Sequence, residues 1–444
     1  MIRNGEKSLK RIKFTRSIFP WLVFGFLFYG YMTTFQTVLF GSRMGGGIFV
    51  LLITFLGILC QVNKSKEIVI VRDGRTFWYA MAFFSIIGNQ DLTKDTETRW
   101  LLPMIGILML FILTKSYSWQ DTFVKVVRSF TGIHAFFTVF FYYFRNLYLN
   151  YFIKVIPGAG TYVIEKFNDG CMPGITSHYS TNGIYLGMGF VFFAGSLITN
   201  NFKNKKQLYT EIAKTLFVLL ALVLTSKRAH ILFGILACFI IYYVFNSNKK
   251  STRWFYIIIS VVALGILVII AAPFVPAISR MVDRFLHADG GEITNGRIWF
   301  WEFALEKFKE SPFIGIGWGG FKHAFYQKIG TYSSMSDYVD AHNVYLQVLC
   351  EQGLVGEFLF MGGIISAYVK NWKLLKSVRL KKIQEIDNNK QQYLAISLGI
   401  QSFFIMYCLT GNCLYDCEFF FVYMMCCALT YGVNDYLRSL YERR

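Results

Sequence analysis

The chain has 444 residues, of which 55% are hydrophobic and only 16% are charged, and its mean hydropathy is +0.43. A soluble domain carries about 25% charged residues, so this composition excludes a soluble enzyme and indicates a multi-span membrane protein. The formal net charge of +19 is explained by Lys and Arg in cytoplasmic loops. No nucleic-acid partner is expected.

Apolar stretches in chain order predict an all-α polytopic membrane protein, in which residues 1–444 form one transmembrane domain. With the N-terminus placed inside, the inner segments hold about two thirds of the Lys and Arg residues, which predicts that both termini are cytoplasmic. About twelve spans are predicted, at 18–39, 45–61, 76–89, 100–114, 124–144, 181–199, 208–225, 229–246, 254–273, 343–369, 392–410 and 418–435.

Two long loops are predicted on the outer side, at 145–180 and, between the ninth and tenth spans, at 274–342. Long structured loops are often functional. The second loop is expected to be helical, with one helix from about Arg297 to Glu310 that ends before Pro312.

Within this helix, apolar side chains recur at three- and four-residue steps and predict a stripe that faces lipid or the bundle. The stripe consists of Ile298, Trp301, Leu305 and Phe308. The glycine-rich stretch 315–320 that follows predicts a flexible turn.

Ionisable residues at three outer positions are the strongest candidates for chemistry, because such groups are costly near a membrane. Lys227 and Arg228 lie in a tight turn between spans, Arg297 begins the outer helix, and His342 lies where the large loop re-enters the membrane. The structural alternatives are snorkelling cations, a surface cation and a capping or interface histidine.

Further candidates for substrate binding lie in the same loop. Arg280 and Arg284 precede Arg297, and Asp340 lies two residues before His342. Trp301 is placed to stack on a sugar ring, although anchoring at the membrane interface explains an outer tryptophan equally well.

Together these residue types suit glycosyl transfer from a lipid diphosphate. Arginines bind diphosphate through charge-assisted hydrogen bonds, and a histidine takes a proton from a hydroxyl group. The chain has no metal-ligand spacing, so neither a metal nor another cofactor is expected, and protein cations have to balance the leaving-group charge.

Four stretches carry a resemblance to a known family. They are Asn295–Trp301, Ser311–Gly319, Ala341–Gln347 and Glu351–Gly356. In order and spacing, these stretches resemble the signature of the O-antigen ligase and O-antigen polymerase superfamily. The resemblance implies a GT-C-like membrane glycosyltransferase, metal-independent and inverting, whose donor is an oligosaccharide linked to undecaprenyl diphosphate.

By motif, the resemblance implies that Arg228, Arg297 and His342 are the catalytic residues. Ligases of the family often have His-x-His-Asn where this chain has Asp340 before His342, which puts two-histidine schemes in doubt. Asp340 is therefore a candidate to orient or activate His342. Lys227 also departs from the family pattern, which has serine before the arginine.

The resulting prediction is a polymerase of lipid-linked repeat units for an O-antigen, capsule or exopolysaccharide, in the bacterial inner membrane. The composition is rich in Phe, Ile, Lys, Asn and Tyr, which is typical of AT-rich genomes. Because bacteria with such genomes often lack lipopolysaccharide, this composition favours polymerase over ligase. A ligase that uses a lipid A core or wall acceptor remains the first alternative. Expected partners are the lipid donor, a glycan acceptor, the bilayer, a flippase and a chain-length regulator.

Two further classes stay open. A lipid-linked glycan flippase requires charges near the membrane midplane, of which spans eight, nine and twelve have none. A structural assembly factor does not require the outer arginines and histidine.

Overall fold

The computed structural model describes residues 19–40, 52, 54–57, 73–87, 94–114, 118–156, 160–200, 202–248, 259, 279, 297–329, 339–383 and 385–442. Regular structure in these ranges is helical. Most of the predicted spans at 45–61 and 254–273 lies outside the described residues, as do the candidates Arg280 and Arg284.

Fifteen α-helices are described, in chain order. They are α1 (Phe19–Tyr31), α2 (Thr33–Phe40), α3 (Arg75–Ile87), α4 (Lys94–Thr114), α5 (Gln120–Tyr143), α6 (Arg145–Asn150), α7 (Thr161–Asn168), α8 (Tyr179–Thr199), α9 (Lys205–Leu224), α10 (Arg228–Phe245), α11 (Arg297–Glu310), α12 (Gly320–Ile329), α13 (Val344–Arg379), α14 (Asn388–Tyr407) and α15 (Cys417–Tyr441).

Five of the described helices, α5, α8, α9, α10 and α13, are long and apolar enough to cross a membrane. Helices α1 and α2 form a sixth candidate that is bent by 94° between them. The protein is therefore an all-helical membrane protein. The arrangement of twelve spans stays a prediction.

Helix α8 lies at the centre of the bundle. In its apolar part 83% of the residues are buried, against 28% in α9, which packs beside it. Helix α8 packs against α5, α9, α10 and α14, while α13 packs against α3 and α14, and α15 against α4 and α14. The exposed apolar side chains on the periphery of the bundle, such as Phe136, Leu216 and Ile365, suit contact with lipid.

Both predicted outer loops contain helices where they are described. The first has α6, a 3₁₀ turn at Phe152–Val155 and α7. In the second, α11 confirms the helix predicted for Arg297–Glu310.

The predicted apolar stripe of α11 is not the face that the helix buries within the protein. Ile298 and Leu305 are exposed, whereas Phe303 and Ala304 are buried. Helix α11 turns this other face inward because Phe303 packs against Phe321 and Phe325 of α12. Contact of the predicted stripe with lipid stays a prediction.

The glycine-rich turn after α11 is fixed by hydrogen bonds, contrary to the flexible turn predicted. It lies along a kink of α13 at Gly353, where φ is 62°. Four backbone hydrogen bonds join the turn to α13, with donor first: Ile316 to Cys350, Gly317 to Glu351, Leu354 to Pro312 and Val355 to Phe313. The turn therefore docks α11 and α12 onto the start of α13.

Close backbone contact requires glycine at the middle of this junction. A Cβ atom on Gly315, where φ is +69°, would lie 2.3 Å from the carbonyl carbon of Glu351. Since backbone atoms cannot give way as a flexible side chain does, and since L-residues disfavour this φ, substitution has to displace the turn.

We expect Gly315→Ala to lower the thermal stability of the purified protein. The left-handed backbone alone costs about 1–2 kcal/mol for an L-residue, and the steric conflict adds to it. The matched control is Gly132→Ala in α5, because a Cβ atom there meets nothing within 4 Å and alanine favours a helix. Melting curves followed by size-exclusion chromatography in detergent compare the two, and equal stability would contradict the docked turn.

Candidate active site

Five chain segments meet at the end of the bundle that the sequence predicts to be extracytoplasmic. The start of α13 contacts the end of α14 through a hydrogen bond of 2.8 Å from the amide of Val344 to the carbonyl of Cys408. Arg297, at the start of α11, donates a 3.0 Å bond to the carbonyl of Thr410. The turn between α9 and α10 contacts the start of α8, where Lys227 Nζ lies 4.4 Å from the ring centre of Tyr179.

His342 lies on the first of these segments with an unusual backbone. Its φ is +50°, in the left-handed region that a histidine seldom occupies. The helix cap is the next residue, Asn343, whose side chain accepts hydrogen bonds from the amides of Tyr345 and Leu346. A capping role for His342 is thus excluded, and the strained backbone is a feature typical of functional sites.

The peptide of Ala341 holds His342 in position. Its carbonyl accepts a 2.9 Å hydrogen bond from the indole Nε1 of Trp301. Its amide donates a 2.7 Å bond to Oε1 of Gln347, and Nε2 of Gln347 donates to Oε1 of Glu351 at 2.7 Å. Tyr415 donates to the other oxygen of the same carboxylate. Trp301 therefore positions His342 through the peptide of Ala341. Its stacking on a sugar ring stays a prediction.

The imidazole of His342 is neutral over the physiological range. Burial, followed by the nearby cations Arg297 and Lys227, lowers its pKa to about 4. Neither ring nitrogen has a hydrogen-bond partner among the described residues. A neutral, accessible nitrogen is the form that accepts a proton from a hydroxyl group.

Arg297 is a largely buried cation without a carboxylate partner among the described residues. Burial lowers its pKa, because a charge is less stable away from water. Its hydrogen bond to Thr410 uses one of five N–H donors. A cation in this setting attracts an anionic group strongly.

Lys227 and Arg228 occupy the tight turn as predicted, and Arg228 begins α10. Ser226, just before them, also has a left-handed backbone, with φ of 57°. This residue follows the end of α9, where such a conformation is common. Of the two cations, Lys227 is the one that acts electrostatically on His342.

The structure thus brings Arg297, Lys227 and His342 together and places Arg228 beside Lys227. Asp340 is buried, with 2% of its surface exposed. The assignments of Arg228 and Asp340 to substrate stay predictions.

Sequence reasoning missed two histidines. It gave His178 and His230 no special setting, yet Lys227 acts electrostatically on both. Burial and Lys227 lower the pKa of His178 to about 4, and its Nδ1 accepts the amide of Ser180 at the start of α8. The ring of His230 packs against that of Tyr407 at an angle of 50°, with ring centres 4.7 Å apart. The two-residue spacing from Arg228 was the available signal for His230.

Comparison with known families agrees with this geometry. Residues 214–361, about a third of the chain, match the family described as O-antigen ligase. The match contains the turn with Lys227 and Arg228, helix α11 and His342. It confirms the resemblance found in the sequence and supports membership of the O-antigen ligase and polymerase superfamily, whose members are glycosyltransferase-like membrane enzymes. A search of curated proteins finds no match.

The strained backbone of His342 predicts an unusual pattern of stability. Asparagine tolerates a left-handed backbone and valine does not, so His342→Asn is expected to melt near the wild type. His342→Val is expected to be less stable by about 1–2 kcal/mol. Thermal unfolding of the two purified variants tests this, and a valine variant as stable as the asparagine variant would contradict it.

Proposed function

We propose that the protein is a membrane glycosyltransferase that polymerises oligosaccharide repeat units linked to undecaprenyl diphosphate. The observation that carries the proposal is the neutral His342 beside Arg297 and Lys227, at one end of the bundle and inside the segment that matches the O-antigen ligase family. The chemistry is an inverting, metal-independent transfer.

In the proposed reaction His342 is the general base. The hydroxyl oxygen of the acceptor sugar forms a bond to the anomeric carbon of the donor, and the bond from that carbon to the diphosphate oxygen breaks. The hydroxyl proton passes to a ring nitrogen of His342. The electron pair of the broken bond stays on undecaprenyl diphosphate, whose increased negative charge is stabilised by Arg297, Lys227 and Arg228.

The orientation of the substrates follows from this assignment. Because the base and the cations lie at one end of the bundle, the diphosphate has to lie at the membrane surface with its polyprenyl chain in the bilayer. The acceptor enters from the aqueous side. Helices α11 and α12, docked by the glycine-rich turn, lie beside this position.

The first alternative is a ligase, the reaction that the description of the matching family names. Both reactions use the same donor and the same base, and they differ in the acceptor. A flippase is less well supported, because the candidate residues cluster at helix ends and not at the middle of the spans where transporters bind.

Reconstitution separates these alternatives. The purified protein in liposomes receives a lipid-linked repeat unit alone, or together with a lipid A core or wall acceptor, in buffer with a metal chelator. A ladder of lengths from the repeat unit alone supports the polymerase. A single addition to the separate acceptor supports the ligase, and translocation without any new glycosidic bond supports the flippase.

Substitution of the base and of the cation is expected to abolish product. We expect His342→Asn to lower the rate about 10²-fold to 10⁴-fold, the range for a general base, and Arg297→Ala to lower it about 10²-fold to 10³-fold. Both are measured as initial rates of glycan formation. The control is Lys309→Ala, which removes a cation from the exposed face of the same helix and is expected to keep full rate.

Rates of both variants equal to that of the control would remove His342 and Arg297 from the reaction. Melting curves accompany the rates, so that loss of fold is not counted as loss of chemistry.

The acid limit of activity is expected to lie well below the ordinary histidine pKa of 6.5. The reaction requires neutral His342, whose pKa in the free protein is about 4, so kcat/KM should hold between pH 5 and 6.5 and fall as the pH approaches 4. Lys227→Met removes one of the cations that lower this pKa, so its acid limit should move to higher pH. An acid limit of kcat/KM near pH 6.5 in the wild type would contradict the assignment of His342 as the base. An acid limit that stays at the same pH in Lys227→Met would also contradict it.

A further inference from the structure

A second histidine at the candidate active site is buried with no hydrogen-bond partner among the described residues. His230 lies in the first turn of α10 with 2% of its surface exposed. Neither Nδ1 nor Nε2 has a hydrogen-bond partner in the described chain. Leaving both nitrogens unpaired in the protein interior costs free energy, so packing alone does not explain a histidine here.

His134 in α5 provides the contrast. It is also fully buried, but its Nε2 lies 2.9 Å from the carbonyl oxygen of Tyr31 and its Nδ1 lies 3.3 Å from Oδ1 of Asn182. Both ring nitrogens of this histidine face oxygen atoms of the fold, and the protonated nitrogen donates a hydrogen bond to one of them. His134 is therefore a structural histidine, and His230 is not one by the same criterion.

Two hydroxyl groups beside the candidate site share this property. Ser226 Oγ and Thr410 Oγ1 are buried and have no partner in the described chain. Ser226 directly precedes Lys227, and the carbonyl of Thr410 accepts the hydrogen bond from Arg297. The three unused polar groups thus lie beside the two cations: Ser226 and His230 flank Lys227 in the chain, and Thr410 is the residue to which Arg297 donates.

The charges around His230 select the kind of ligand. Lys227 and Arg297 both lie within electrostatic range of its ring. Ammonium and guanidinium groups only donate hydrogen bonds, and hydroxyl groups and a neutral imidazole can each donate one. A ligand with many acceptor oxygens and negative charge satisfies all of them at once, which describes a diphosphate better than a sugar.

We propose that His230, with Ser226 and Thr410, binds the diphosphate of the lipid donor by donating a hydrogen bond from a ring nitrogen. This assignment rests on the proposed function, since it names the group that Arg297 and Lys227 attract there. It gives the site two histidines with separate roles: His342 accepts the proton from the acceptor, and His230 holds the leaving group.

The test uses His230→Phe, which keeps an aromatic ring against Tyr407 and Phe403 and removes both nitrogens. Binding of undecaprenyl diphosphate to the full-length protein in nanodiscs is measured, with undecaprenol as the uncharged reference. Loss of a hydrogen bond to a charged group is expected to raise the Kd about 10-fold to 100-fold. The melting temperature without ligand is expected to stay the same or rise, because a buried unpaired polar group is removed.

His134→Phe is the matched control, with the same substitution at an equally buried position. It leaves the partners on Tyr31 and Asn182 unpaired, so its melting temperature should fall while the Kd for undecaprenyl diphosphate stays at the wild-type value. Thr410→Val, which replaces the hydroxyl with a methyl group of similar size, should raise the Kd without loss of stability. It provides a second measurement should His230→Phe not fold.

The outcomes separate the inference from the proposed function. If His230→Phe and Thr410→Val both bind undecaprenyl diphosphate with the affinity of the unmodified protein, the inference is overturned. The proposed function stands in that case as long as the unmodified protein still forms glycan. A His230→Phe variant that loses stability and affinity together, with Thr410→Val unchanged, also overturns it, because the histidine is then structural. A wild type that binds undecaprenyl diphosphate no better than undecaprenol overturns the proposed function as well.

Discussion

The candidate site depends on how the peptide bond groups of Ala341 are held. Its carbonyl is fixed by Trp301 from α11 and its amide by Gln347 from α13, so two helices far apart in the chain determine where His342 lies. The buried Glu351 in turn orients Gln347. The glycine-rich turn keeps α11 against α13 through the same stretch, since Gly317 donates to the carbonyl of Glu351. A shift at any of these contacts moves the base relative to Arg297.

The same cations act on both halves of the proposed chemistry. Together with burial, Arg297 and Lys227 keep His342 neutral, and in the proposed reaction they attract the diphosphate of the donor. A bound diphosphate compensates their charge, which raises the pKa of His342 towards its ordinary value. The histidine thus becomes a stronger proton acceptor when the donor is present, near the pKa at which a general base is most effective. Donor binding and activation of the base are coupled through charge alone.

Much of this arrangement was accessible from the sequence, because hydrophobic length and charge placement report on membrane crossing. Helix α11 was predicted with correct ends, since Pro312 terminates it. The packing of the Phe303 face of α11 was not predicted, because residue spacing does not reveal that a second loop helix packs against it. The rigidity of the glycine-rich turn was also missed, since glycine is typical both of flexible segments and of close backbone contact.

His230 shows most clearly what sequence cannot supply. In the sequence it differs from His134 by its position two residues after Arg228. The fold shows more, because it provides partners for the ring nitrogens of His134 and leaves those of His230 unused among the described residues. Other buried polar atoms of the described chain, such as those of Asn371, are also unpaired, so an unpaired group alone does not mark a ligand site. At His230 the unpaired nitrogens lie near two cations, and a costly polar group in such a place is expected where function requires it.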